Sequence, residues 1–298
     1  MDFKKYIKAV GTGPKGNRDL TFEESQDMMT QILNQSVHGE QISAFLLGWR
    51  LKPETIEEYI GALEACDSFI TKTKIENSIE LGYSFDGKAK HPYTFPLVSK
   101  ILKDSDVNLV VSGDELTPAK SGITIKDICT KIDLGSNLHY YDRADFFNEL
   151  HELTDLRMRL GVRTGLNTIE KLPHVASSDY AITGLFHKPY VKKYVEIFSN
   201  RYKRFALIQG TEGSPELFKK GHLWIADSCK EVEEFIIDPE YYGITSTKTW
   251  DKMTLEESLD AINNPSDELL KLAKLHAAIY IFVADKAKSI DEAYERLN

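Results

Sequence analysis

Three stretches of this chain carry residue types suited to binding anions. The first is Gly82-Tyr-Ser84-Phe85-Asp86-Gly87, followed closely by Lys88, Lys90 and His91. Glycines let backbone N–H groups close around a phosphate, and cations just after such a turn add charge to the same place. Here the centre of the turn holds Ser84 and Phe85, whose Cβ atoms restrict the backbone and fill space. The second stretch is Arg157-Met-Arg-Leu-Gly-Val-Arg163-Thr-Gly-Leu-Asn167. Arginine presents a planar fork matched to carboxylates and phosphates. The third is Gly210-Thr-Glu-Gly213-Ser-Pro215-Glu216. Magnesium takes oxygen ligands, commonly one or two carboxylates plus substrate phosphates, so Glu216 alone would make a poor site for it. Lys120, in Lys120-Ser-Gly122, adds a further cation. Gly11-Thr-Gly13-Pro-Lys-Gly16 fits the dinucleotide pattern, but a helical stretch precedes it instead of a strand, so it is expected to be a loop.

The elements that must position these groups fall into two sets. Phe3, Tyr6, Ile7 and Val10 have helical spacing, in a helix that opens at Met1-Asp2-Phe3. Thr21-Phe-Glu-Glu24 reads as a capping box for a second helix, Gln41–Leu51 as a third, and Pro53 fits the first turn of a fourth ending near Ile70. The apolar face of Phe45, Leu46, Leu47 and Trp49 is expected to form the helical core and a dimer contact. Short β-like runs then appear at 78–83, 108–112, 205–209 and 222–226. Helical stretches at 94–102 and 189–202 lie between them, and a long helix runs from Ser266 to about Lys288. Alternation of this kind predicts a central, mostly parallel sheet. The predicted fold class is α/β: a small N-terminal helical bundle domain, residues 1–72, on a larger α/β domain, residues 73–298. Helices from about 155–185 are expected to pack on the bundle.

The chain has 298 residues, 37 basic and 46 acidic, for a net charge of −9. A general basic coat is therefore excluded, and any anion site must come from local clustering. Residues 87–103 hold Lys88, Lys90, Lys100, Lys103 and His91 with no carboxylate. Residues 187–204 hold Lys188, Lys192, Lys193, Arg201, Lys203 and Arg204 against Glu196. Loops after parallel strands face the ligand crevice, which places Lys88, Lys90, Lys188 and Lys192 towards it and Arg201, Lys203 and Arg204 at the opposite end. Tyr190, Tyr194, Phe198 and Tyr202 recur every four residues, as a base-stacking ladder or, more simply, a helix stripe packed on the sheet. Cys66, Cys129 and Cys229 lie far apart and suggest neither disulfides nor zinc, as in a cytoplasmic protein.

Across nearly its whole length the sequence resembles the anthranilate phosphoribosyltransferases, glycosyltransferases of family 3 with a nucleoside phosphorylase/phosphoribosyltransferase-like fold. The helical start and the Arg157–Asn167 segment carry most of the likeness. The resemblance implies that Gly82, Asp86 and Gly87 belong to a degenerate donor loop, that Arg157 matches the anthranilate-contacting arginine, and that Glu216 survives from a metal-binding Asp-Glu pair. A family Lys-His-Gly is replaced by Val111-Ser112-Gly113. Three damaged motifs imply a non-catalytic protein with no cofactor. The opening helix, the Asp86–Lys90 loop and the Gln209–Gly213 form of the third motif resemble a divergent branch that binds DNA or RNA non-specifically and forms a homodimer through its helical domain. The nucleic-acid contacts are then expected at Lys88, Lys90, His91, Lys120, Arg157, Arg163, Lys188 and Lys192. The alternative is an active phosphoribosyl- or glycosyltransferase using magnesium, a phosphorylated sugar donor and an unidentified acceptor.

Overall fold

The computed structural model describes residues 2–227 and 231–297; Met1 and Cys229 lie outside them. The chain opens with the helices Lys4–Gly11, Phe22–Leu33, Gly39–Leu51 and Ile56–Asp67. Capping boxes at Thr21/Glu24 and Thr55/Glu58 start two of them. Each box satisfies helix N–H groups that have no intrahelical partner, and a cap of this kind is worth about 1 kcal/mol. The second box corrects the sequence reading, because the helix begins after Thr55 and Pro53 lies outside it. Glu58 is fully buried and also accepts from Leu20 N at 2.8 Å and Trp49 Nε1 at 2.9 Å. Phe45, Leu46 and Trp49 are core residues, while Leu47 remains exposed. Trp49 is therefore no surface contact.

The sheet contains β1 (Ser78–Gly82), β2 (Asn108–Gly113), β3 (Leu138–Asp142), β4 (Tyr180–Gly184), β5 (Arg204–Ile208), β6 (Gly221–Asp227) and β7 (Glu233–Ile237). Their order is β3-β2-β1-β4-β5-β6-β7. β1 to β5 pair in parallel; β6 and β7 are added antiparallel. The chain moves outward from β1 through β2 to β3, then returns to place β4 on the other side of β1. That reversal opens a crevice beyond the carboxyl ends of β1 and β4.

Side chains alternate between the two faces along each strand. Ile79, Leu81, Leu109, Val111, Ala206 and Ile208 pack in one apolar cluster with the helix Asp267–Val283. Val110, Ala181, Phe205, Leu207 and Trp224 pack in another, shared with Phe45, Trp49, Leu153, Leu166 and Leu172. The bundle thus shares its core with one face of the sheet. Among the described residues no helix is long and apolar enough to cross a membrane. Cys66 and Cys129 are free and buried, and burial raises both thiols above their ordinary range.

Glu80 faces the bundle from β1. It accepts from His174 N at 2.9 Å and Tyr202 Oη at 2.6 Å. Burial raises its carboxyl to about 7, with Tyr202, Arg201 and the backbone opposing part of the rise. A carboxyl raised on folding binds its proton more tightly in the native state, so its contribution to stability falls as pH rises from about 4.5 to about 7. Glu80→Gln is expected to remove that loss. Melting curves should show the variant gaining on the wild type above neutrality, by at most about 3 kcal/mol, with little difference in mild acid.

Candidate functional site

Beyond the carboxyl ends of β1 and β4 lies a cavity of about 530 Å³ between the sheet and the bundle. Arg50, Glu54 and Tyr59 line it from the bundle. Ser84 and Asp86 enter after β1, Gly184 to His187 after β4, and Gly213 after β5. Arg163, Thr164 and Lys171 come from the segment joining β3 to β4, and Tyr190, Lys193 and Tyr194 from the helix Tyr190–Phe198. Arg50, Arg163, Lys171 and Lys193 stand against the carboxylates of Asp86 and Glu54.

Arg163 holds Asp86 Oδ2 through Nη2 and through Nε, the latter at 3.1 Å. Asp86 Oδ1 is buried without a hydrogen bond, and Lys120 Nζ lies 4.0 Å from it. Thr164 Oγ1 is likewise buried without a partner. Such atoms cost about 1–3 kcal/mol each when left unsatisfied, so their presence in a cavity wall marks a place for a ligand or ordered water. Asn167 is structural: its side chain accepts from Thr164 N at 3.0 Å and donates to Pro118 O at 3.0 Å.

Glu216, expected from the resemblance to be left over from a metal site, is closed off by the protein itself. Glu216 is fully buried and bonded to Lys88 Nζ, to Tyr83 Oη at 2.9 Å and to Thr94 Oγ1 at 2.9 Å. Burial works against its charge, but Lys88 prevails and holds the carboxyl below its ordinary range. Lys88 also donates to Pro92 O at 2.8 Å. Thr94 links this pair to His276, which burial pushes down to about 4 and so keeps neutral. With Pro215 contributing no carboxylate, these residues do not fit magnesium. Among the described residues no group of three or more His, Cys, Asp or Glu side chains is placed to hold a metal.

Arg157 is withdrawn in the same manner. It is buried, with its fork on Glu170 at 2.7 and 3.0 Å. Arg143 joins them, bridging Glu170 and Asp114, and stacks over Phe85 at 4.7 Å. Burial opposes the Glu170 charge, yet Arg157 and Arg143 keep its carboxyl low. The expectation that Lys88 and Arg157 contact an external anion is therefore corrected: both are spent on buried carboxylates. Phe85 also points away from the expected role. It is buried under Arg143, and Ser84 and Asp86 line the cavity instead. The loop glycines serve packing. A Cβ on Gly82 would stand 2.7 Å from Thr183 Oγ1, and one on Gly122 would stand 2.5 Å from Lys88 N.

The remaining candidates scatter. Glu212 accepts from Ala89 N at 2.7 Å and Lys90 N at 3.1 Å and pairs with His91 Nδ1 at 3.4 Å; despite burial, these contacts and Lys88 depress its carboxyl to about 2. His91 is buried against Phe218, while the Lys90 side chain is exposed. Lys120 donates to Glu212 O at 2.8 Å. Lys188 pairs with Glu234, and Lys192 with Glu196, beside a different groove floored by Trp224. Lys193, not Lys192, faces the cavity; it donates to Glu54 O and sits 5.0 Å from the centre of the Tyr59 ring. Arg201 is tied to Asp67 and Lys203 to Asp179, while Arg204 is tied to Asp227 and Asp285. Tyr190 and Tyr194 line the cavity; Phe198 and Tyr202 are core. The sequence reading missed Arg50 and Lys171, whose only sequence signal is charge.

Residues 4–69 match the family model described as "Glycosyl transferase family, helical bundle domain". A protein of Aquifex aeolicus, described as uncharacterized, is 26% identical over 94% of this chain and 93% of its own. The anthranilate phosphoribosyltransferase of Thiobacillus denitrificans is 23% identical, over 93% of this chain and 88% of its own. The structure of the Saccharomyces cerevisiae anthranilate phosphoribosyltransferase in complex with PRPP and Mg superposes with a TM-score of 0.79 at 12% identity, covering 99% of this chain and 92% of that one. The chain has the fold of these transferases, a helical bundle on an α/β domain with a mostly parallel sheet.

Lys88→Met would leave Glu216 charged and unpaired in the interior, and is expected to cost about 3–5 kcal/mol in urea denaturation. Lys88→Met combined with Glu216→Gln should recover more than half of that loss. A double variant as unstable as the single one would show that the two charges are not coupled.

Proposed function

We propose that this chain binds a small anionic molecule in the cavity between bundle and sheet, without a divalent cation and without magnesium-dependent phosphoribosyl transfer. The observation that carries this reading is the cavity wall: Arg50, Arg163, Lys171 and Lys193 face two carboxylates, and neither Asp86 Oδ1 nor Thr164 Oγ1 has a hydrogen-bond partner. Cations supply affinity for the anion, while an unused carboxylate oxygen selects a ligand that also carries a hydroxyl or amino donor. Transfer from a sugar pyrophosphate is the alternative favoured by the names of the relatives. It is opposed by the Lys88–Glu216 pair, which consumes the surviving metal-binding carboxylate.

Calorimetry with inorganic pyrophosphate, with phosphoribosyl pyrophosphate, and with each ligand in magnesium or in EDTA tests this reading. Binding should appear in EDTA, should not strengthen with magnesium, and should weaken about tenfold in Arg50→Ala or Lys193→Met. Affinity that demands magnesium would restore the transferase reading.

Nucleic-acid binding is the second reading. Its support is the exposure of Lys188 and Lys192, whose side chains are 64% and 86% accessible. Phosphate contacts by such lysines give steeply salt-dependent binding. Fluorescence anisotropy with single-stranded and duplex oligonucleotides decides it: binding abolished by Lys188→Glu with Lys192→Glu would support it, and no binding at low salt would end it. We also propose a homodimer in a reducing cytoplasm, built on exposed Leu47, Leu51, Met158 and Val162 around the neighbouring helices Gly39–Leu51 and Thr154–Leu160. Light scattering should find a dimer in the wild type and a monomer for Leu51→Glu.

A further inference from the structure

We propose that Lys171 is a carbonyl-capturing amine, which forms a reversible imine in the cavity with a small anionic aldehyde or keto acid. This inference rests on the cavity reading above and adds a covalent step to it. Lys171 is buried, yet its Nζ donates to two backbone carbonyls, Gly184 O at 2.9 Å and Gly213 O at 3.4 Å. Among the described residues no carboxylate lies within ion-pair distance of it. Other buried lysine ammonium groups are neutralised: Lys88 by Glu216, and Lys52 by Glu58 and Asp19. An interior ammonium without a counterion is costly, so a lysine left that way is poised to lose its proton.

The placement is also specific. Gly184 closes β4 and Asp86 follows β1, so the amine sits at the reversal point of the strand order, where open α/β sheets bind ligands. The same wall offers Asp86 Oδ1 and Thr164 Oγ1, both buried and without a hydrogen-bond partner, as proton acceptor and donor for a reacting carbonyl. Burial lowers the Lys171 ammonium most, Arg163 lowers it further, and Asp86 and Glu170 oppose them; the result is about 8. Lys120 also faces the group, and the Tyr194 ring lies 5.6 Å from Nζ with its phenol kept neutral by burial. A desolvated lysine beside another cation is the usual arrangement for an amine nucleophile.

The step is balanced without a co-reactant. Neutral Nζ attacks the carbonyl carbon, a C–N bond forms, and the C=O electron pair moves to oxygen, which takes up a proton. Loss of one Nζ proton gives the carbinolamine. The nitrogen lone pair then expels the hydroxyl as water and the second Nζ proton departs, so amine plus carbonyl gives imine plus water. Hydrolysis reverses it. Arg50, Arg163 and Lys193 in the same wall restrict the partner to an anionic carbonyl compound.

The test uses the full chain, glyoxylate as probe and cyanoborohydride to reduce any imine to a stable amine, followed by peptide mass mapping. Lys171 should be labelled about tenfold faster than exposed Lys192, with a rate that rises through the pH at which Lys171 loses its proton. Labelling of surface lysines first, or a rate that tracks an ordinary lysine, would overturn the inference. Lys171→Arg preserves a donor for the two carbonyls and is expected to melt close to the wild type while losing the label. If it keeps the fast label, the site lies elsewhere and the inference fails. Pyrophosphate calorimetry separates the two proposals: binding without a Lys171 adduct overturns this inference alone, while absence of both overturns the cavity reading as well.

Discussion

The Lys88–Glu216 ion pair is the interaction on which the rest of this molecule depends. An isolated buried carboxylate is unsustainable in a protein interior without a cation beside it. Here the cation is part of the chain. Lys88 closes on Glu216, Tyr83 and Thr94 complete the carboxylate, and neutral His276 anchors the group to the helix Asp267–Val283. Because the pair is internal, the loop after β1 is fixed by backbone contacts as well, with Lys88 and Ile123 exchanging hydrogen bonds of 2.9 and 2.8 Å. Gly87 and Gly122 are glycines because those two chains pass too closely for any side chain.

The same logic repeats one layer out. Arg157 and Arg143 converge on Glu170 and Asp114, so an arginine fork that could greet a ligand carboxylate meets one supplied by its own neighbour. Two fixed internal pairs thus take up cations that the sequence alone presents as ligand contacts. The cavity persists beside them because its own wall residues, Asp86 with Arg163 and Lys193 with Glu54 O, are tied at one end only. Phe85 lies in the body of the protein, so the space beside these pairs stays open.

The helical bundle and the buried strands were legible in sequence because capping boxes and apolar runs are local signals. Thr21/Glu24 predicts its helix from four residues. β3, β4 and β7 were not legible: Leu-His-Tyr-Tyr-Asp, Tyr-Ala-Ile-Thr-Gly and Glu-Glu-Phe-Ile-Ile lack both a long apolar run and clean alternation, and pairing with neighbours defines them. For the site, the loops singled out in sequence do border the cavity, but several of their charges turn inward to buried carboxylates. Lys88 and Arg157 look like free cations in a list, since their partners Glu216 and Glu170 lie 128 and 13 positions away. Lys171 and Arg50 were invisible for the converse reason: nothing near them in sequence distinguishes them from solvated surface groups. Whether a cation serves a ligand or the fold is decided by its three-dimensional neighbours.

Glu212 shows where such self-sufficiency leads. Its backbone is in the left-handed region, at φ 57°, and its carboxylate caps the amides of Ala89 and Lys90. Those amides form an oxyanion cradle that arrives already filled, by a resident group whose proton affinity is suppressed. An incoming phosphate could take that seat only by evicting a tethered rival at very high effective concentration. The Ala89–Lys90 end of this loop is therefore closed to an incoming phosphate, and discrimination among guests falls to the cavity wall built around Asp86, Thr164 and the neighbouring cations.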